Sequence, residues 1–234
     1  MKRFYEEVAA QPVAGGWQVQ LDGRPMKTQG GRPQLVPNAT LGAMLAKEWA
    51  AQGEEIDPQG FAARDLVDYA LDVVAQDTPA AIDKLLAYAE TDTLCYRADP
   101  DEPLYRRQQA EWEPVLAAFE EAEGVAMERA SGVMHRPQRG ETMQALRRAL
   151  ADAGPIELAA LEQVASLAAS LCIARLAADE RQDPQALWRA ANLEEDWQVE
   201  LWGSDAEAEA RREDRKARFL GAVALLRAAR SDPT

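Results

Sequence analysis

Along residues 17–21, Trp-Gln-Val-Gln-Leu, apolar and polar side chains alternate with the period of a half-buried strand. Gly15-Gly16 leads into this stretch and Asp22-Gly23 follows it. Asp-Gly between two strands signals a two-residue hairpin, because both central positions of the turn need positive φ. Arg24 to Thr28 is the return strand, and Pro25 places it at an edge, since proline has no N–H to give to a ladder. Gly30-Gly31 turns the chain again, and Gln34 to Pro37 makes a short third strand. Residues up to about Asn38 therefore read as a small β unit.

The pattern then changes to helical spacing. Asn38 or Thr40 caps a helix that carries Leu41, Met44, Leu45, Glu48 and Trp49. Residues 62–76 place Leu66, Tyr69, Ala70 and Val73 on one line. Pro79 starts a helix that runs to about Tyr96, and Asp99-Pro100 stops it. A long helix from Pro103 to Glu123 ends before Gly124, residues 132–140 form a polar loop, and residues 141–152 a short helix. Pro155 starts a helix to about Ala178, apolar on most faces and so central. Pro184 starts the next, ending at Gly203, and the last runs from about Asp205 to Ala229. The expected class is α+β: a small N-terminal β-rich domain with a first helix, residues 1–60, followed by a larger multihelical domain, residues 61–234.

Composition fits that picture. Apolar residues make up 47% of the chain and aromatics 6%, so alanine supplies much of the core and favours close-packed helices. Forty acidic against 26 basic residues leave a formal charge of −14, which repels phosphate backbones and anionic lipid. Nucleic acid and membrane are poor partners for such a chain. Cys95 and Cys172 sit apart among apolar neighbours, which suits buried thiols in a reducing compartment. No apolar run is long enough to span a bilayer, and the start, Met-Lys-Arg-Phe-Tyr-Glu-Glu, has neither a secretory h-region nor the acid-poor character of a transit peptide. The expected location is the cytoplasm.

Enzyme signatures are missing. The single histidine, His135, lies in the polar loop with no second metal ligand at zinc spacing. There is no nucleophile elbow, phosphate loop or dinucleotide fingerprint. No cofactor, metal or small-molecule substrate is expected.

Three constellations carry the remaining information. Asp92 follows Leu85 and Tyr88 and precedes Cys95 on one helical line, so its carboxylate needs a partner, Arg97 being the nearest cation in sequence. The helix from Pro184 shows two stripes. Leu187, Ala190, Leu193, Trp197 and Leu201 read as core. Trp188, Ala191, Glu195, Gln198 and Trp202 lie about 100° away. Exposed, the second stripe is an interface with aromatic anchors; buried, it is a core with an internal polar network, and the pattern allows both. Gly203 suits a helix C′ position, while Ser204 and Glu207 make a capping box for the last helix, which opens with the i,i+4 pairs Glu207–Arg211 and Asp214–Arg218.

Taken in order, several blocks resemble a known family. They are Lys2-Arg3-Phe4-Tyr5, Gly16-Trp17 through Leu21-Asp22-Gly23-Arg24-Pro25, Lys27-Thr28, Glu48-Trp49, Thr91 through Ala98, Gln108 with Trp112 and Pro114, and Glu195 with Gln198, Trp202-Gly203, Asp205 and Ala208. The set resembles the ATP synthase assembly factor 2 family, chaperones for the α subunit of the catalytic head, found in mitochondria and in alphaproteobacteria. The resemblance implies a β-rich N-terminal domain, a helical C-terminal domain, a non-enzymatic role, and the ATP synthase α subunit as protein client. It implicates acids of the C-terminal region, for which Glu195 and Asp205 are the matching candidates; Trp202, Trp188 and Gln198 are the expected client contacts beside them, and Asp92, Arg97, Trp17, Trp49 and Gly203 are expected to be structural. Residues 61–66, Phe-Ala-Ala-Arg-Asp-Leu, depart from the Met-Pro-Leu-Thr-like stretch of the family. Two other readings stay open: a carboxylate-dependent enzyme using acids around Asp92 and Glu195, and a helical interaction module with another client.

Overall fold

The computed structural model describes residues 1–132 and 135–231. The chain forms two compact units: Met1–Ala80 with Gly154–Ala160 and the chain from Ala224, and Ala81–Ala153 with Leu161–Val223. The class is α+β, with the strands of the main sheet first and helices after them.

In the first unit, β1 (Val8–Val13) and β2 (Gly16–Leu21) pair antiparallel, Val8 opposite Leu21 and Val13 opposite Gly16. The alternation of residues 17–21 is enough to identify β2; β1, which carries Pro12, was not identified from its pattern. Asp22 (φ 48°) and Gly23 (φ 73°) make the turn to β3 (Arg24–Pro25), and β4 (Leu35–Val36) pairs with β2 at Trp17 and Gln18. Gly16 permits that pairing, because a Cβ there would lie 2.3 Å from the Val36 carbonyl oxygen.

Val19, Leu21 and Val36 are buried, as are Leu41, Leu45 and Trp49 of α1 (Ala39–Ala50), which packs on β1 and β2. Asn38 caps α1 by accepting from Leu41 N at 2.9 Å, and its amide also donates to the Ala228 carbonyl at 2.8 Å. Trp17 is half-buried on the sheet. Trp49 stands between Tyr5 and Phe61, with ring centroids 5.6 and 4.5 Å away. In the segment that departs from the family pattern, Phe61 is thus core, and Arg64 lies 3.9 Å over its ring.

The start of α2 (Ala62–Asp72) takes its cap from α1, where the Glu48 carboxylate accepts from Ala63 N and Arg64 N at 2.7 and 2.8 Å. Its buried line is Val67, Ala70 and, just past its end, Val74; Val73, read as core, is 50% exposed. The helix stops at Asp72, whose carboxylate holds Thr28 Oγ1 (2.8 Å), Gly30 N (2.7 Å) and Arg32 (3.0 Å).

Outside the main sheet, α3 (Thr78–Glu90) precedes a 3₁₀ turn, Thr93–Cys95, and β5 (Tyr96–Arg97). In the second unit, α4 (Pro103–Glu123) buries Trp112, Leu116 and Phe119. β6 (Ala130–Ser131) pairs parallel with β5, a two-stranded addition in a region that reads as helix and loop. Then follow α5 (Gly140–Ala151), α6 (Pro155–Ala168), α7 (Leu171–Ala177), α8 (Pro184–Ala191), α9 (Leu193–Trp202) and α10 (Ala206–Arg230).

Two long helices expected from the sequence are each broken. Ala169 adopts φ 48° and separates α6 from α7, whose cap is the Ser170 hydroxyl, accepting from Ile173 N at 3.0 Å. Asn192 separates α8 from α9, its amide donating to the Trp188 carbonyl at 2.8 Å. At the first break a short polar side chain satisfies a backbone N–H that a continuous helix would have paired; near the second, the Trp112 indole donates to the Ala190 carbonyl at 2.8 Å.

Candidate client-binding surface

Asp92 is completely buried, yet it is not on α3, and its partner is not Arg97. It caps the 3₁₀ turn and accepts from Leu94 N (3.1 Å), Ser170 Oγ (2.9 Å) and Cys172 N (3.0 Å). Burial outweighs these bonds and raises its pKa above the ordinary value. Arg97, also buried, pairs instead with Glu113 at 2.7 Å. Glu113 and Glu120 in turn hold Arg129. Asp92 is therefore a clamp between the 3₁₀ turn and α7, and Arg97 a tie between β5 and α4.

The corner between α9 and α10 is built differently. Trp188 on α8 is 2% exposed and packs on Phe219, ring centroids 5.3 Å apart. It is core, which corrects its expected place as a surface anchor. α8 buries Leu187, Trp188 and Ala190 together, so the two stripes of the sequence are one buried face here. Beyond Asn192 the expected core stripe continues and fails only at its end. Leu193 is buried, Trp197 is half-buried, and Leu201, expected in the core, is 55% exposed. Trp202 is 77% exposed and Gln198 is exposed.

Gly203, at φ 76°, ends α9 by donating its N–H to the Val199 carbonyl at 2.8 Å. Asp205, not Ser204, caps α10, accepting from Ala208 N at 2.8 Å, while the Ser204 hydroxyl donates to Glu209. The aspartate wins because its carboxylate at the positive end of α10 gains from the helix dipole. Two caps a few residues apart hold Leu201 and Trp202 on a fixed corner rather than a loose loop.

Around that corner the acids of α9 are mostly tied to cations. Glu195 pairs with Arg215 at 3.1 Å, and the same guanidinium donates to Asn192 Oδ1 at 3.1 Å. Asp196 pairs with Arg212, and Glu200 with Arg107 at 2.6 Å. These pairs are partly exposed, so each adds little to stability but fixes the direction of its carboxylate. Glu195 is thus oriented by Arg215 and partly exposed. The structure gathers Glu195, Gln198 and Trp202 on one helix, with Asp205 just past its end. Asp92, sealed among Leu94, Ser170 and Cys172, does not join Glu195.

Among the described residues, no helix is long and apolar enough to cross a membrane. None of them form a metal-ligating group of three or more His, Cys, Asp or Glu.

Missed in the sequence was a cleft of about 390 Å³ lined by Thr91, Thr93, Tyr96, His135 and Glu194. Thr91, Thr93 and Tyr96 belong to the Thr91–Ala98 block, but His135 and Glu194 are distant from it along the chain, so no local spacing reveals the cleft.

Comparison with known proteins agrees with the resemblance. A family model described as ATP12 chaperone protein matches residues 2–120. The mitochondrial protein atp12 of Schizosaccharomyces pombe is 25% identical over 97% of this chain and 82% of its own length. The crystal structure of Atp12 from Paracoccus denitrificans superposes with a TM-score of 0.91 at 31% identity, covering 98% of each chain. A crystal structure from Agrobacterium tumefaciens has the same TM-score, 0.91, at 36% identity, over 96% of this chain and 85% of that one. A matched family model over half the chain and two solved structures above 30% identity over nearly all of it lead to one conclusion: the chain belongs to the ATP12 chaperone protein family.

Proposed function

We propose that this chain is a non-enzymatic chaperone of ATP synthase assembly that holds the unassembled α subunit and covers the apolar surface which α later buries against β. Family membership supports the chaperone role. The observation that carries the surface assignment is the exposure of Trp202 and Leu201, 77% and 55%, on a corner capped from both sides. Large apolar side chains displayed together on a rigid element suit a protein contact, and aromatic anchors dominate the energetics of such contacts.

A free α subunit presents an aggregation-prone patch, and a chaperone need only occlude it with moderate affinity and then leave. Leu201 and Trp202 supply the apolar contact. Gln198, Glu195 and Asp205 surround them with oriented polar groups that pair with client cations and set the register. In this reading the client surface lies on the unit formed by Ala81–Ala153 and Leu161–Val223, rather than on the whole of residues 61–234, and the β-rich unit extends beyond residue 60 to Ala80. The place of action is the bacterial cytoplasm, with neither cofactor nor metal.

The test is co-expression with the cognate α subunit in the absence of β, followed by affinity capture from the soluble fraction. A soluble complex that disperses when β is added is the expected result. An α subunit that stays insoluble and uncaptured overturns the assignment.

A further inference from the structure

The cleft beside α9 has a chemistry of its own. Its volume, about 390 Å³, falls at the small end of ligand clefts, which run from roughly 300 to 1,000 Å³. On one side stand the rings of Tyr96 and His135, only 13° from parallel with centroids 6.3 Å apart, joined by a 2.8 Å hydrogen bond between the Tyr96 hydroxyl and His135 Nδ1. Thr91 and Thr93 supply hydroxyls, and Glu194 supplies a carboxylate.

Glu194 differs from the other acids of its helix. Glu195, Asp196 and Glu200 each face an arginine, whereas Glu194 accepts only from the neutral Gln108 amide, at 2.7 Å. The helix dipole accounts for acids in the first turn, but not for one that lines a cleft without a cation. Three arginines on neighbouring elements are paired with other acids: Arg97 with Glu113, Arg107 with Glu111 and Glu200, Arg129 with Glu113 and Glu120. Arg136 and Arg139, on the loop that carries His135, pair with Glu128. A second carboxylate, Glu90, lies 3.6 Å from His135 Nε2.

Acids, hydroxyls and flat aromatic faces, with no arginine or lysine among the lining residues, describe a receptor for a planar cation. We infer that the Thr91–Tyr96–His135–Glu194 cleft receives an arginine side chain from an extended segment of the protein client. The guanidinium stacks on the Tyr96 and His135 rings and donates to Glu194 and the threonine hydroxyls, a geometry that favours Arg over Lys.

The cleft also continues into the surface already described. Glu194, Gln198, Leu201 and Trp202 are exposed at the i, i+4, i+7 and i+8 positions of α9, a single ridge. Seven residues of helix span about 10 Å, the reach of roughly three residues of extended chain. The recognised segment therefore carries an arginine with an apolar residue three positions away. The occupant rests on the reading that this chain holds a protein client; the cleft's preference for arginine does not.

The experiment is an NMR titration of the full chain, followed through the ring signals of His135, the only histidine. The probes are the peptides acetyl-Arg-Ala-Ala-Leu-amide and acetyl-Gln-Ala-Ala-Leu-amide. A saturable shift with the arginine peptide, at least tenfold tighter than with the glutamine peptide, is expected. Glu194→Gln, which keeps an oxygen for the Gln108 amide, is expected to bring the arginine peptide to the level of the other. Equal titration by the two peptides overturns the proposal without any variant, as does an unchanged arginine titration in a folded Glu194→Gln protein. Because no α subunit is present, the result is independent of the capture test. Failed capture beside a selective titration removes the client and leaves the cleft.

Discussion

Two tryptophans on neighbouring helices differ in burial and, under the proposed function, in role. Trp188 is buried on Phe219, so Trp188→Ala is expected to cost about 3–5 kcal/mol, seen as a lowered urea midpoint. Trp202 touches mostly solvent, and Trp202→Ala should change stability by less than about 0.5 kcal/mol. Its effect falls on capture of the α subunit instead, where losing an anchor weakens binding by about 2 kcal/mol, roughly thirtyfold. If both variants lose stability equally, Trp202 is not a free surface anchor. The two thiols give a second test at this scale. Burial pushes Cys95 up to about 12 and Cys172 well above the ordinary thiol value. Neither should react with a thiol reagent at pH 8 while the chain is folded, and both should react in denaturant.

At the scale of elements, stability is concentrated where polar side chains tie one segment to another. Glu113 links β5 to α4 through Arg97 and also holds Arg129. Partial burial raises its pKa, but bonding to Arg129 and the charges of Arg97 and Arg129 outweigh that, and the net shift is downward. A carboxyl depressed in the folded state stabilises fully above its unfolded pKa, near 4.3, and that stability is lost as pH falls through the folded value. Urea midpoints of the wild type and Glu113→Gln should therefore differ most at neutral pH and converge below pH 4. A difference that persists at pH 3 would mean that Glu113 acts through packing rather than charge. The breaks at Ala169–Ser170 and Asn192 belong to the same scale. Helical periodicity carries through both, and only the partners of Ser170 and Asn192 show why the helix stops.

For the whole molecule, the question is how an acidic chain presents a defined surface to a client. With a formal charge of −14, most acids serve solubility, and those that act specifically are the ones whose direction is fixed. Glu195 is such a residue, oriented by Arg215. Swapping the pair, Glu195→Lys with Arg215→Glu, keeps an opposite-charge pair with its sign pattern inverted at the surface, at the cost of the Arg215 bond to Asn192. The swapped protein should melt within a few degrees of the wild type yet capture α at least tenfold less well, read by affinity capture at fixed salt. Wild-type capture by the swapped protein would remove Glu195 from the client surface.

The division between sequence and tertiary structure follows from which interactions are local. The Asp22-Gly23 hairpin, the caps at Asn38 and Gly203 and the alternation of β2 are settled within a few residues, and the sequence by itself determined them. The ordered blocks from Lys2 to Ala208 also identified the family, because they sample positions along the whole chain. Tertiary structure alone decided which polar groups meet. Asp92 finds Ser170 and Cys172 rather than the nearby Arg97, since a buried carboxylate is held by whichever donors the packing brings to it. It alone also decided that Trp188 is core while Leu201 and Trp202 face solvent, because burial depends on which distant elements pack on a helix face, and Phe219 covers Trp188.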